Sequence, residues 1–323
     1  MRRRLKLVIT VDVEEEGLFS GRYPRVPPGV HNVRELERIE FVTRDLGLPV
    51  TLLVTYPVAV DPECGEVLDR WRGVLGAEIG AHLHPWSTPP FIDLPGPEPF
   101  PSDLMPESLL EAKLEVLCTA IERRWGVRPE SFRMGRFDLG HTMRRLLPTF
   151  GIRTDSSMVP FRFKLGGASH FMSPNEPFWL GEGGTGEGRL LEVPLTQVAL
   201  MPNLAARAYE LGLALGKRRR FLLLSMFRNV AVVGIQPAWF PLASMLWAAR
   251  LHGARGGRVL TLFFHSSELL PGATPGYPSE ASVRRLTRRI RLFLQWLANT
   301  YTIEGVTLSQ LHSTVRDPGN PPR

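Results

Sequence analysis

Apolar and polar positions alternate along this chain in blocks of two kinds. Short runs rich in β-branched residues predict buried strands, and longer stretches with apolar residues three or four positions apart predict amphipathic helices. The strands are predicted at 5–13, 49–55, 77–83, 130–134, 151–154, 189–195 and 258–265. The helices are predicted at 32–47, 63–74, 106–125, 139–149, 203–215 and 279–299. This alternation is typical of parallel βαβ units and predicts one α/β domain over residues 1–323, with a closed or nearly closed sheet.

Three places mark the limits of this pattern. Asn32 is expected to cap the first helix, and Gly47 is expected to end it. Glycine, proline and aromatic residues interrupt the pattern at 156–188, which predicts an irregular excursion over one face of the sheet. The last residues, 316–323, are expected to form a frayed tail.

Composition narrows the class of protein. With 43% hydrophobic residues and a net charge of +7, the chain does not have the composition of a disordered protein. Its basic clusters are not interleaved with exposed aromatic residues, so no nucleic acid partner is predicted. The two cysteines exclude a cysteine-based metal site, and Cys118 is expected to be a buried thiol. The first apolar run ends at Asp12, too early for a secretory signal, which favours a cytoplasmic location.

A basic and apolar segment at 217–256 bears on membrane contact. It contains 21 uncharged residues between Arg228 and Arg250, but its prolines and polar residues make a poor transmembrane helix. A buried strand, turn and helix is the preferred interpretation. A peripheral contact with an anionic membrane, at the inner membrane face, is the alternative, with Trp239 and Trp247 beside basic residues.

Ionisable residues stand at the ends of several predicted strands, where the loops of a parallel α/β sheet converge. Asp12 and Glu14 are two positions apart at the end of the first strand, so both carboxylates point to one face. Two carboxylates on one face repel unless a cation lies between them or one is protonated. Glu15 and Glu16 are interpreted as a solvated acidic loop.

His82 and His84 repeat the same spacing at the end of the third strand. Two imidazoles facing a carboxylate form a divalent metal site that keeps positions open for water and substrate. Zinc, iron or another first-row metal fits this set of ligands.

The later strand ends add cations and a further histidine. Arg133 and Arg136 follow another strand, and an arginine there can keep the carboxylate of a nearby aspartate ionised. Asp155, at the end of the next strand, is a second possible partner for such an arginine. His265 stands at the end of a fully apolar strand. Burying an imidazole there without a hydrogen-bond partner or a chemical role costs free energy. Glu268 can either orient His265 or begin a helix.

Taken together, the motifs resemble the polysaccharide deacetylase family, the NodB-homology domain of carbohydrate esterase family 4. The matching segments, in order, are TVDVEEE (10–16), EIGAHLHPW (78–86), FRMGR (132–136), TDSS (154–157) and FFHSSEL (263–269). The HLHPW segment resembles one branch of that family. The resemblance implies a distorted (β/α) barrel of about seven parallel strands with a metal-dependent hydrolase site at the strand ends.

The resemblance also implies roles for these residues. Asp12 matches the catalytic base, Arg133 the arginine that pairs with it, Asp155 the aspartate that supports it, and His265 the general acid. Glu14, His82 and His84 match the metal ligands, with zinc as the first candidate. The two histidines are closer in sequence than is usual in the family, so His84 either binds from a different angle or only positions the loop. Trp86, Arg136, Phe137, His170 and Glu268 are the expected substrate-binding residues.

The predicted activity is hydrolysis of a carbon–nitrogen (non-peptide) bond, removing an N-acetyl or related acyl group from a sugar, glycan or glycolipid. One alternative is an inactive relative that binds a glycan or glycolipid. Another is an amidohydrolase acting on a non-sugar amide. The sequence leaves the sugar, the metal and the oligomeric state open.

Overall fold

The computed structural model describes residues 2–26, 29–96, 98–181 and 189–316. The strands are β1 (Arg4–Val13), β2 (Thr51–Val54), β3 (Glu78–Leu83), β4 (Ser131–Met134), β5 (Thr154–Asp155), β6 (Phe178–Leu180), β7 (Leu190–Glu192), β8 (Gln197–Ala199), β9 (Val232–Gly234), β10 (Val259–His265) and β11 (Thr302–Gly305). The α-helices are α1 (Phe41–Arg44), α2 (Tyr56–Val60), α3 (Pro62–Gly73), α4 (Glu107–Trp125), α5 (His141–Thr149), α6 (Pro202–Leu213), α7 (Lys217–Ala231), α8 (Leu242–Ala254), α9 (Glu280–Thr300) and α10 (Leu308–His312). Short 3-10 helices cover Leu18–Ser20, His31–Ile39, Ser102–Leu104, Gly135–Phe137 and Ser266–Leu269.

The main sheet has the order β10-β1-β2-β3-β4-β5-β7-β6, and β11 pairs with the first half of β1. Neighbours are parallel from β10 to β7, whereas β6 is antiparallel at the edge. The gap between β7 and β10 is bridged at Thr196, whose N–H donates to the Thr261 carbonyl and whose hydroxyl accepts from the Thr261 N–H. The sheet is therefore a nearly closed, distorted barrel of seven parallel strands, as predicted.

Strand β1 shows how this barrel separates its core from its site. Its odd-numbered apolar residues from Leu5 to Val13 point outward and are buried in the main core with the surrounding helices. Val8 points inward and packs in a second cluster with Leu308 of α10, which fills the lower end of the barrel. The polar side chains of Thr10 and Asp12 follow on the same inner face, so the barrel interior changes from apolar to polar toward the strand ends.

The predicted helix at 32–47 differs from the observed one. Its first part is the 3-10 helix His31–Ile39, and only Phe41–Arg44 is α-helical. Asn32 does not cap this helix, because its side-chain amide donates to the Glu14 carbonyl at 3.0 Å. That bond ties the helix to the end of β1. Gly47 ends the helical segment as predicted, in a left-handed conformation with φ 63°.

The remaining predicted elements are present with boundaries shifted by a few residues, although the predicted strand at 151–154 is only the two-residue β5 at 154–155. The pattern misses β6, β8 and β11, since runs of three or four residues carry too little periodicity. The excursion is irregular up to β6, but 182–188 and the predicted tail beyond 316 lie outside the described residues.

The segment at 217–256 forms α7, β9, a turn and α8, which confirms the preferred strand, turn and helix and adds a helix before it. None of the described helices combines the length with the apolar character required to cross a bilayer. Cys118 is fully buried as predicted, and burial raises the pKa of its thiol to about 12.

Candidate active site

The strand register brings the distant motifs together. Asp12 on β1 is the direct partner of His265 on β10, and His82 on β3 is the direct partner of Arg133 on β4. Partners in a parallel pair share one face of the sheet, which here is the inside of the barrel. Four of the predicted site residues therefore lie at one end of the barrel because of register alone.

Three side chains among the described residues could hold a metal ion. Glu14, His82 and His84 are buried, and one ligand atom from each lies within 4.8 Å of the others. The Glu14 carboxylate is 3.6 Å from His82 Nε2 and 3.5 Å from His84 Nε2, and the two Nε2 atoms are 2.9 Å apart. Ligand atoms around a tetrahedral zinc ion, each about 2.1 Å from it, lie about 3.4 Å from one another. The two distances from Glu14 match this spacing, whereas the two imidazole nitrogens lie closer together than it requires.

Hydrogen bonds on the far side of each imidazole support the same assignment. His82 Nδ1 lies 2.9 Å from the Arg133 carbonyl oxygen, and His84 Nδ1 lies 2.8 Å from Glu15 Oε1. Both partners are acceptors, so each Nδ1 carries a proton and each Nε2 presents a lone pair in the neutral ring. Two such lone pairs 2.9 Å apart repel each other, and either a metal ion bound to both nitrogens or a proton shared between them removes the repulsion. Burial alone lowers the pKa of His82, but the neighbouring carboxylates of Asp12 and Glu14 raise it above its usual value because they favour a positive charge there.

Glu15 corrects the interpretation of a solvated acidic loop. It is only 1% exposed, and one carboxylate oxygen also accepts from Trp86 Nε1 at 3.2 Å and from Ser87 Oγ at 2.7 Å. Burial tends to raise the pKa of Glu15, but the interactions with His84 and Ser87 lower it to about 2. Glu15 is therefore an ionised residue that orients His84. A metal-binding histidine needs a hydrogen-bond acceptor for the ring nitrogen that does not bind the metal, so the sequence indicated that such a residue exists. The local sequence did not show which acidic residue it is.

Arg133 is completely buried beside Asp12. Its guanidinium donates to Asp12 Oδ1 at 2.5 Å, to Thr10 Oγ1 at 2.9 Å and to Ser156 Oγ at 2.8 Å. Burial raises the pKa of Asp12, but Arg133 first and then His82 bring it below its usual value. Asp12 is thus ionised, with its second oxygen 3.5 Å from His82 Nε2.

His265 faces the same carboxylates from β10. Its Nδ1 is 3.0 Å from Glu268 Oε1, and Glu268 also accepts from the His265 backbone N–H at 3.1 Å. Glu268 therefore both orients the ring and begins a 3-10 helix, which unites the two predicted roles. Burial lowers the pKa of His265, but Glu14 and Glu268 raise it to about 9.

These groups open into a cavity of about 170 Å³. Its lining includes the predicted residues Trp86, Arg136 and Phe137, although Trp86 is only 3% exposed and packs on His84. Arg136 and Phe137 have φ of 55° and 58°, an uncommon conformation for side chains with a Cβ. A side chain at Gly135 would lie 2.7 Å from His84, so glycine is needed where this turn passes the imidazole. The lining residues that sequence reasoning did not assign to the site are Leu18, Phe19, Tyr23, Arg162 and Trp239.

Trp239 lies in the wall of this cavity, although the alternative interpretation of the segment 217–256 assigned it to a membrane contact. Its ring packs edge-on against Phe263 and Phe137 in the wall of this cavity. Trp247, by contrast, is 55% exposed.

Asp155 does not lie where the sequence predicted. In the described structure the bonds of Arg133 go to Ser156 rather than to Asp155, because Asp155 is paired with Phe132 and Glu192 and shares their face. Asp155 accepts from the Ser157 hydroxyl at 2.6 Å, and that hydroxyl accepts from the backbone N–H following Arg133. Its support of Arg133 is indirect. Burial, and then Asp155, raise the pKa of Glu192 well above its usual range.

His170 is also separate from the cavity. It is 1% exposed, it accepts from the Val159 N–H at 3.3 Å, and it is absent from the described lining of the cavity. Burial, followed by Arg162 and Arg144, lowers the pKa of His170 to about 3. The predicted contact between this neutral, enclosed imidazole and substrate is not supported.

Comparison with known proteins finds similarity in structure alone. The sequence matches no described protein family and no curated protein. A glycoside hydrolase/deacetylase candidate from Parabacteroides distasonis superposes with a TM-score of 0.63 at 12% identity, over 96% of this chain and 70% of that one. A polysaccharide deacetylase candidate from Mycobacterium smegmatis gives 0.58 at 18% identity, over 100% and 94% of the two chains. An allantoinase gives 0.54 at 15% identity, over 96% and 90%.

At these identities the matches establish architecture rather than activity. The predicted resemblance is confirmed at that level, whereas the HLHPW branch remains a prediction. This chain has the fold of the polysaccharide deacetylases.

Proposed function

We propose that this protein is a divalent-metal-dependent hydrolase that removes an N-acetyl or related acyl group from a sugar. The observation that carries the proposal is the convergence of Glu14, His82 and His84 beside an arginine-held Asp12 at the floor of an open cavity. Zinc is the first candidate because two imidazoles and one carboxylate with open positions form a common catalytic zinc site. When bound, such an ion supplies Lewis-acid polarisation of a carbonyl and lowers the pKa of water.

The chain's own residues supply the proton transfers. Asp12, kept ionised by Arg133, accepts the proton of the attacking water. The C–N bond breaks as the amine receives a proton from His265, where the carboxylate of Glu268 favours the protonated ring. Glu268 holds the ring in place. The backbone N–H of Arg136 or Phe137, in the strained turn at the cavity wall, is the proposed donor to the developing oxyanion.

A substrate panel tests the reaction class, because the fold is shared with an allantoinase as well as with polysaccharide deacetylases. Acetate release is measured with N-acetylated sugars and oligosaccharides and with O-acetylated sugars, and ring opening of a cyclic non-sugar amide is measured by mass spectrometry. We expect turnover of the N-acetylated sugars that requires a divalent metal. Turnover of the cyclic amide alone would identify an amidohydrolase. Binding of glycans without turnover of any compound would identify an inactive relative.

We also propose a peripheral contact between the α6–α7 hairpin and an anionic membrane. On α7 the residues Leu222, Met226 and Val230 are 62–77% exposed and are spaced as one helical stripe. The helix begins with the exposed basic residues 217–219 and contains no acidic residue. Exposed apolar residues next to basic ones are typical of helices that lie in a membrane interface, where each basic residue contributes about 1 kcal/mol.

Sedimentation with vesicles tests this contact. The protein is expected to pellet with vesicles containing phosphatidylglycerol at low salt and to be released at high salt. Leu222→Ser with Met226→Ser should reduce the bound fraction about tenfold, whereas Leu104→Ser, an equally exposed leucine elsewhere, should not. Absence of binding at low salt contradicts the proposal. A dimer in solution that the double variant dissociates would assign the stripe to a second copy of the chain instead.

A further inference from the structure

A second cavity, more basic than the first, lies against α7. Its volume is about 460 Å³, and its lining contains Arg136, Arg162, Lys164 and Arg228 but no acidic residue among those described. Ser225 and Asn229 add neutral polar groups to the wall. We refer to this space as the basic cavity.

The positive charge of the basic cavity is largely uncompensated. Lys164 lies 3.4 Å from Asp138, but in the described part of the chain none of the three arginines has a carboxylate partner. Arg136 bonds to the Tyr23 hydroxyl, Arg228 bonds to a glutamine, and Arg162 packs over the Phe137 ring at 5.2 Å.

The concentration of positive charge affects the pKa of Arg162. Burial, and then Arg228 and Arg136, lower the pKa of Arg162 to about 10. Arg162 and Arg228 are partly buried, whereas Arg136 is exposed. Partly buried guanidiniums without a counterion are unfavourable unless an anion joins them.

The basic cavity adjoins the cavity of the proposed metal site. Arg136 and Arg162 line both spaces, so a molecule with its acyl group near Glu14 and His82 can extend past these two arginines. A group bound in the basic cavity would therefore be part of the same substrate.

We propose that the basic cavity binds the phosphate of an acylated sugar phosphate, and that the substrate is a sugar carried on a phosphate ester rather than a neutral glycan. This inference rests on the proposed function, since it names the substrate class of the same site.

Charge and donor geometry favour phosphate over a single carboxylate. The three guanidiniums, which have no carboxylate partner among the described residues, supply a charge of about +3, which matches a multiply charged phosphate group. Arginine presents its N–H donors in a planar fork that fits phosphate oxygens, and its charge persists throughout the working pH range.

Helix α7 joins the basic cavity to the apolar stripe. Phe221, Ser225 and Arg228 face the cavity, whereas the stripe of Leu222, Met226 and Val230 is exposed to solvent. One helix thus offers an anion-binding face and an apolar face side by side. A lipid-linked sugar phosphate would use both faces, and a nucleotide-linked sugar only the first.

Direct binding provides the first test. The intact metal-loaded protein is titrated calorimetrically with N-acetylglucosamine 1-phosphate and with N-acetylglucosamine, and every protein compared also carries Asp12→Asn so that turnover is suppressed during the titration. We expect the phosphorylated sugar to bind at least tenfold more tightly. Arg228→Gln should remove most of that difference, and Arg219→Gln, an exposed arginine of the same helix outside the cavity, should preserve it.

Phosphate can also bind directly to a metal ion. A further variant therefore distinguishes phosphate bound in the basic cavity from phosphate bound at the metal site. His82→Gln, which disrupts the metal site, should keep the preference for the phosphorylated sugar. If His82→Gln abolishes the preference and Arg228→Gln does not, the phosphate binds at the metal and the inference is wrong. Equal affinity for both sugars of the protein that carries Asp12→Asn alone also overturns it. Because binding is measured without turnover, the basic cavity can be confirmed even if deacylation is not observed.

Kinetics then identify the source of the phosphate. The values of kcat/KM are compared for a polyprenyl diphosphate-linked sugar in micelles, a nucleoside diphosphate sugar and the corresponding neutral sugar. Preference for either phosphorylated substrate, reduced about tenfold by Arg228→Gln, supports the inference and names the carrier. Preference for the neutral sugar, or an equal preference for a sugar with one carboxylate, overturns it.

Discussion

Asp12→Asn is expected to lower kcat for deacylation by a factor of about 10²–10⁴, the usual contribution of a positioned general base. Asparagine keeps the shape of the side chain and an oxygen that can accept from Arg133, but it cannot take a proton from water. Asp12 is outside the set of three metal ligands, so the metal content should remain that of the wild-type protein. The measurements are initial rates of acetate release and metal content by mass spectrometry.

The control is Asp45→Asn, which changes another aspartate paired with an arginine, but on the surface. It should leave kcat within about twofold. Thermal unfolding of both variants shows whether they fold, because Asp12 is buried against a charged partner and loss of a buried pair can be destabilising. A folded, metal-loaded Asp12→Asn variant with wild-type kcat would exclude Asp12 as the base.

His84→Gln is expected to reduce metal affinity at least 100-fold, which would establish His84 as a ligand rather than a residue that positions the loop. His84 Nε2 lies 3.5 Å from Glu14 and 2.9 Å from His82 Nε2, so its loss removes one of the three atoms that converge on the ion. Glu15→Gln should reduce affinity less, by about 10- to 100-fold, because Glu15 acts on the metal only through His84. Affinity is measured by competition with a zinc chelator.

His141→Gln, an exposed histidine at the start of α5, is the matched control and should bind metal normally. Metal that binds the folded protein also stabilises it, by about 2.7 kcal/mol at a free concentration 100 times Kd. Removal of metal by chelation should therefore lower Tm in the wild-type and His141→Gln proteins but not in His84→Gln. If His84→Gln binds metal as tightly as the wild-type protein, the third ligand is another group.

Most of the strands and helices of the barrel could be predicted because each shows its periodicity within a short stretch of sequence. A run such as residues 5–13 is long enough to show strand periodicity, and the helix at 279–299 shows its apolar stripe over several turns. The two-residue spacing of Asp12 with Glu14, and of His82 with His84, fixes each pair on one face of its strand whatever the rest of the chain does. These pairs were the most reliable part of the site prediction.

The errors arose where the sequence pattern was too short or too irregular to predict which face a side chain points to. Strand β5 has only two residues, so the sequence did not show that Ser156, rather than Asp155, shares the face of Arg133. His170 lies in an irregular segment, where no periodicity indicates whether an imidazole faces a cavity or the core. Glu15 lies beyond the end of β1, so the alternation of that strand does not predict which way its side chain points. Its burial depends on His84 and Ser87, which lie 69 and 72 residues further along the chain.

By itself the sequence determined most of the strands and helices and the two paired motifs, since these depend on residues that are neighbours along the chain. The distorted barrel was implied by the resemblance to a family. Only the tertiary structure decided that Arg133 pairs with Asp12, that Glu15 orients His84, and that Arg136, Arg162 and Arg228 surround one cavity. The physical reason is that these contacts join residues from different strands, loops and helices. Their distances are set by strand register and helix packing, which no local pattern of apolar and polar positions contains.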